Sequence, residues 1–161
     1  MCVGYGGNSQ SLKLLCLSAS PLLCVKNQIM KPELIQGCSH ADARGVLRFC
    51  NDFDMSAVKR FYTIANSVAE PVRGWIGHKK ETKWFFPLKG KTEILVEGFN
   101  AEEQGSREAK VFVLDANTPV VLKVPSENWF CIKQSGGAAV MVFSDCKVGE
   151  FEGDDFRRPF V

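Results

Sequence analysis

Histidine and tyrosine are nearly absent: the chain holds two of each, His40 and His78, Tyr5 and Tyr62. Proton chemistry that relies on an imidazole near neutral pH therefore has only two candidates. Long apolar runs are missing as well. None approaches the roughly 18 residues that read as a membrane-spanning helix, so no membrane partner is expected. Nor is there a basic run or patch: 20 Lys and Arg against 18 Asp and Glu leave a net charge of +2. That balance excludes a dedicated nucleic-acid binder. The seven cysteines, Cys2, Cys16, Cys24, Cys38, Cys50, Cys131 and Cys146, are odd in number and form no CxxC or Cys/His spacing. Neither a disulfide framework nor a zinc site is indicated, and we read them as ordinary thiols of a reducing cytoplasm.

What is present is an ordinary globular composition, 45% apolar and 24% charged over 161 residues, enough for one domain with a real core. Residues 1–30 differ in character. A Gly- and Asn-rich start leads into a Leu/Ser/Cys stretch without helical or strand period. Lys13 before an apolar run faintly resembles a signal peptide, but Pro21 interrupts the run and no small-residue cleavage site follows. We expect a poorly structured extension, or a leader upstream of a natural start at Met30, and a single domain over residues 31–161.

From Lys31 onward the pattern is one of short strands and turns. Strands are predicted over 33–36, 46–50, 58–66, 72–76, 84–88, 93–97, 111–115, 120–124, 129–133 and 138–144. Glu70-Pro71, Lys89-Gly90, Asn117-Thr118-Pro119, Pro125 and Gly136-Gly137 punctuate them. Strands at intervals of roughly 8–12 residues with turn chemistry between them define a sandwich or barrel. No segment carries a helical period. Two halves, each leading into an aromatic-rich mouth at Arg73–Phe86 and Pro125–Ile132, fit an all-β jelly roll of two Greek keys. The tail from Glu150, charged and aromatic, is suited to covering a sheet edge or a partner subunit.

The residues able to do chemistry concentrate between Arg60 and Gly98. Tyr62 falls on a strand expected to face the interior. Arg60 and Arg73 carry guanidinium forks that match phosphate oxygens. Trp75, Trp84 and Trp129 offer faces on which a base or sugar can stack, or else belong to the core. Asp42 and Arg44 form a turn pair or a site.

Motifs through this stretch resemble those of a known family. Asp42-Ala43-Arg44-Gly45-Val46-Leu47, Lys59-Arg60-Phe61-Tyr62, Glu70-Pro71-Val72-Arg73-Gly74-Trp75, His78-Lys79-Lys80, Leu88-Lys89-Gly90-Lys91 and Asp154-Asp155-Phe156-Arg157 occur in order. The chain is similar, from about Pro32 to Phe160, to WxcM-like cupins that rearrange nucleotide-linked 4-keto-6-deoxy sugars. These are dTDP-sugar 3,4-ketoisomerases and the related 3,5-epimerases. The resemblance implies a cupin-type double-stranded β-helix that pairs as a homodimer and binds a nucleotide sugar in deoxysugar and polysaccharide biosynthesis.

Departures from the wider cupin pattern matter as much. Metal-binding cupins place two histidines around one residue, then a glutamate, then a third histidine in a later strand. The corresponding positions are Ile76, His78, Lys83 and Asn128-Trp129. One imidazole beside an ammonium cannot hold a divalent cation, so no metal and no other cofactor is expected. The resemblance favours His78 as base and puts Lys83 where the epimerases carry an active-site lysine and the ketoisomerases a neutral amide. Enolate chemistry suits Lys83 as donor to the enolate oxygen, and Tyr62, on its inward-facing strand, is suited to relay a proton. Arg73, Arg60, Trp75 and Trp129 are the substrate-binding candidates. Ile76 at a histidine position keeps open a non-catalytic cupin that binds a sugar or nucleotide sugar.

Overall fold

A computed structural model describes residues 30–100 and 108–160, and every regular element among them is a strand. In chain order these are β1 (Glu33–Gln36), β2 (Cys38–Asp42), β3 (Gly45–Phe49), β4 (Arg60–Ile64), β5 (Val72–His78) and β6 (Lys83–Lys89). There follow β7 (Lys91–Gly98), β8 (Lys110–Asp115), β9 (Val120–Val124), β10 (Asn128–Gln134), β11 (Ala139–Ser144) and β12 (Phe156–Arg158). The expected extension lies outside the described residues but for Met30. No described helix is long and apolar enough to cross a membrane.

The pairing is nested. β4 pairs with β11, β5 with β10, β6 with β9 and β7 with β8, all antiparallel. The chain is thus a long hairpin, bent at β7–β8 and wound into two sheets of order β1-β9-β6-β11-β4 and β12-β5-β10-β7-β8. This is the all-β jelly roll of two Greek keys that the strand spacing and the resemblance imply. β1 and β12 extend opposite edges. β2 and β3 form a separate hairpin, closed by a fork from the Arg44 guanidinium to the Asp42 carboxylate.

Strand alternation decides what fills the space between the sheets. Phe85 of β6, Val140 and Val142 of β11, and Leu122 of β9 face inward from one sheet. Ile94 and Val96 of β7, Phe112 and Leu114 of β8, and Phe130 and Ile132 of β10 face them from the other. Most of these side chains are almost completely buried. The outward positions follow the opposite parity, as with Val111 and Val113 of β8, which remain exposed.

Two strands went unread in the sequence. Residues of β2 are exposed throughout, so no apolar alternation marks them. β12 has three residues, too short for a pattern, yet it covers the edge of β5 as the tail composition suggested. Its hold is an outer-face clamp. The Arg158 guanidinium lies over the rings of Trp75 and Trp129, 4.5 and 4.8 Å from their centroids, and pairs with Glu97. Trp129 in turn stacks on Phe99 at 4.6 Å. Beneath that stack only a glycine fits, since a Cβ at Gly77 would lie 2.6 Å from both rings.

Phe85 is fully buried and packs edge-on against Phe130 at 5.2 Å. Replacing it by alanine removes the side chain and leaves a cavity. Urea unfolding of Phe85→Ala should show a loss of about 3–5 kcal/mol, whereas Val148→Ala, at an 86% exposed position, should stay within about 0.5 kcal/mol of the parent.

Candidate active site

The core fills one part of the sandwich and leaves a cavity of about 320 Å³ where β4, β5 and the start of β6 converge with the segment around β12. Strand parity explains what lines it. On β4, Arg60 and Tyr62 follow the same face as the core residue Ile64, while Phe61 points to solvent and is 67% exposed. On β6, Lys83 shares the inward face of Phe85. On β5 a bulge intervenes: Phe130 sits opposite Ile76, but Ile132 sits opposite Arg73. The extra residue turns Arg73 to the same face as Ile76 and His78 and leaves Trp75 outside.

His78 ends β5, 7% exposed, its ring stacked at 6.1 Å on Phe130. Nδ1 lies 2.6 Å from the main-chain oxygen of Asp154. A carbonyl oxygen only accepts, so the neutral ring carries its proton on Nδ1 and presents an unprotonated Nε2. Burial pulls the histidine below its ordinary pKa, and the Lys83 ammonium adds to this. Glu81, the carbonyl bond and the Asp154 charge oppose it without cancelling it. His78 is therefore a neutral base at neutral pH.

The turn that follows is tied down by two distant carboxylates. Asp154 accepts the backbone N–H groups of Lys79, Lys80 and Glu81 at 2.9, 3.1 and 3.2 Å. Asp145 accepts that of Thr82 at 2.9 Å. The turn delivers Glu81 behind the cavity wall, where one oxygen meets the Lys83 ammonium at 2.7 Å and the Arg60 guanidinium at 3.0 Å. The Ser144 hydroxyl donates to the same oxygen. Burial raises the Glu81 pKa, but the bonds from Lys83 and Ser144 and the Lys83 charge, joined by that of His78 when protonated, prevail and hold it below the usual value. Lys83, 4% exposed, reaches from this carboxylate to Tyr62 Oη at 3.3 Å.

Positive charge surrounds the rest. Arg73 is exposed at the rim and makes no salt bridge among the described residues. Arg60 also donates to the carbonyl of Cys146 at 2.9 Å. Arg157 of β12 lines the cavity, its guanidinium forked on Asp155 with two contacts of 2.7 Å.

The structure brings five sequence candidates, His78, Lys83, Tyr62, Arg73 and Arg60, to one cavity. It does not bring Trp75 and Trp129 there: their register puts both on the outer face, with Arg158 between them. Trp84 is likewise outside, under Phe53. Glu81, Asp154 and Arg157 were not among the sequence's site candidates, although the tail motif held the last two. The available signals were the close spacing of His78, Glu81 and Lys83 and the charged tail motif. Among the described residues no group of three or more His, Cys, Asp or Glu side chains is arranged to hold a metal ion. At the position of the third cupin histidine, the Asn128 amide is committed to the carbonyls of Met30, Pro125 and Ser126. The donor set thus does not fit a metal. The described cysteines are all free thiols, and burial pushes Cys131 up to about 11.

Fold and cavity together define a class, a jelly roll of the cupin type with a cationic pocket and one buried imidazole. The chain belongs to the WxcM-like, C-terminal (FdtA) family, whose model matches residues 30–160. A comparison with curated proteins finds no match. Among solved structures it is similar to a 3,4-ketoisomerase from Helicobacter canadensis, 20% identical over 80% of this chain and 92% of that one, with a TM-score of 0.63. It is also similar to QdtA from Thermoanaerobacterium thermosaccharolyticum, a 3,4-ketoisomerase, 23% identical over 79% and 87% of the two chains, TM-score 0.61. A third is ChmJ from Streptomyces bikiniensis, a 3'-monoepimerase, 11% identical over 81% and 70%, TM-score 0.66. At these identities the likeness is one of fold.

Because the folded state binds a proton at His78 less readily than the unfolded chain does, acidification below the ordinary value of 6.5 favours unfolding. Denaturation followed from about pH 7 downward should show stability falling through this window. In His78→Asn that part of the slope should flatten.

Proposed function

We propose that the protein is an isomerase that moves a proton next to the ketone of a dTDP-linked 4-keto-6-deoxyhexose, with no metal or redox cofactor, in deoxysugar supply for polysaccharide. The observation that carries this is the neutral His78, its Nδ1 proton fixed by a carbonyl, in one cavity with Lys83, Tyr62 and three arginines. The ketone acidifies the neighbouring C–H. His78 Nε2 takes that proton, the C–H electron pair becomes the C=C bond of an enediolate, and the carbonyl π pair moves onto oxygen. Lys83 donates to that oxygen, where negative charge develops. Its ion pair with Glu81 holds it in place as a donor to that oxygen. Arg73, at the rim and without a salt bridge among the described residues, is suited to the diphosphate, with Arg157 on the same cavity.

For the finer assignment the cavity favours 3,4-isomerisation over 3,5-epimerisation. His78, Lys83 and Tyr62 form one connected group through Glu81, and Ile64, Ile76 and Phe130 supply an apolar wall. A single base can take the C3 proton and return it to C4, while Tyr62 relays the hydroxyl proton from O3 to O4. Inversion at a carbon instead requires proton groups on both faces. The fold neighbours named as 3,4-ketoisomerases support the same choice, one of them a variant solved with TDP-4-keto-6-deoxyglucose. This assignment makes the protein an enzyme, against the reading as a non-catalytic nucleotide-sugar binder.

A homodimer accompanies this proposal. The β2–β3 hairpin is exposed on both strands, with Val46 and Leu47 53% and 62% exposed, and a lone two-stranded hairpin is marginal in water. A second copy would cover it.

Incubation with dTDP-4-keto-6-deoxyglucose in D2O, followed by NMR, should place deuterium at C3 of recovered substrate and at C4 of a 3-keto product. His78→Asn should slow this by about 10²–10⁴-fold with dTDP affinity little changed. Label at C5 would overturn the isomerase assignment, and saturable binding without exchange would leave a binding module. Light scattering should give about twice the chain mass, and Leu47→Asp should lower it to that of one chain.

A further inference from the structure

Glu81 touches the chemical groups of the cavity without lining the cavity itself. Its side chain is 6% exposed, and it stands behind the wall formed by His78, Lys83 and Arg60. One oxygen gathers Lys83, Arg60 and Ser144. The other lies 3.3 Å from His78 Nδ1. A buried carboxylate costs considerable desolvation unless its oxygens are fully provided with donors, and here one oxygen has three. Among the described residues its second oxygen meets the imidazole edge alone, whose proton already goes to the Asp154 carbonyl. That oxygen is in place for the moment when His78 becomes cationic.

We propose that Glu81 is the positioning residue of this site: from behind the cavity wall it orders the Lys83 ammonium against Tyr62 and supplies the counter-charge for protonated His78. The inference rests on the proton-transfer reading above. During the reaction no atom of Glu81 is transferred; the proton leaves carbon for Nε2 and returns from it. What changes is charge. The imidazolium faces Lys83 of β6 and, across the cavity, Arg60 of β4 and Arg157 of β12. Against these stand Asp154 and Asp155 ahead of β12 and Glu81 of the turn, while β10 offers only Phe130. Of the carboxylates, Glu81 is the one whose oxygen is nearest Nδ1, with Asp154 Oδ2 at 3.8 Å. Asp154 already accepts three backbone N–H groups, and Asp155 holds Arg157. The Lys83 charge weighs on His78 more than the Glu81 charge does, in the opposite direction.

This balance gives a test with two signs. With only two histidines in the chain, His78 can be titrated by NMR in the full-length protein. Glu81→Gln should lower its pKa further, since the repelling ammonium stays and its counter-charge goes. Glu81→Gln/Lys83→Met removes both charges, keeps the interior neutral should the single variant fail to fold, and should raise the pKa above that of the parent. Proton exchange into the sugar should slow about 10²-fold in Glu81→Gln, with dTDP affinity within about threefold and part of the rate restored in Glu81→Asp. A His78 titration that stays in place in the folded double variant would overturn the proposal, as would equal exchange rates in Glu81→Gln and the parent. The titrations need no turnover, so a protein that binds dTDP without exchanging any proton would sink the isomerase reading and leave the test of Glu81 intact.

Discussion

Asp154 holds the site in the shape described. Its carboxylate takes three successive backbone N–H groups of the β5–β6 turn, and its own main-chain oxygen takes the proton of His78. A tight turn leaves such groups without sheet partners, and burying them unpaired is costly. One acid thereby fixes the turn, the imidazole tautomer and the place of Glu81. Through the turn it also sets where Lys83 begins β6. The β12 clamp keeps Asp154 in place, since Arg158 is held between two indoles on the other side of the sheet.

The arrangement separates two tasks on the same strands. Inward positions deep in the sandwich are apolar and close the core around Phe85, Phe130 and Ile132. Inward positions toward the cavity are charged. β4 shows the change within five residues, from Ile64 through Tyr62 to Arg60, and β6 shows it from Phe85 to Lys83. The packing that stabilises the fold also keeps water from the Lys83–Glu81 pair, whose side chains are 4% and 6% exposed. That strengthens the pair and would make either charge costly without the other.

Much of this was legible in the sequence because alternation is a local property. β1 and β9 emerged with their ends correct, bounded by Gly37 and by Pro119 and Pro125. His78, Lys83, Tyr62, Arg60 and Arg73 converge as expected because each occupies an inward register position. Trp75 was misassigned for an equally local reason. In an unbroken strand Arg73 and Trp75 share a face, and the β5 bulge that separates them leaves no mark in composition. Trp129 neighbours the core residue Phe130, so parity alone places it outside. Glu81 and Asp154 sit in a turn and a tail where no period exists, and only the three-dimensional meeting of residues 78–83 with 144–157 reveals them.

The nested pairing has a consequence for how the protein acquires its pocket. β4 is the first strand of the eight-stranded roll, β12 the last strand of the fold, and the cavity lies between them. Every pairing except β7 with β8 and the β2–β3 hairpin joins segments far apart in the chain, so loop closure precedes most of the reward and folding is expected to be slow. On a ribosome, the imidazole would emerge long before the carbonyl that orients it. The pocket exists only where β4, near the start of the roll, meets the segment around β12, near the end of the described residues.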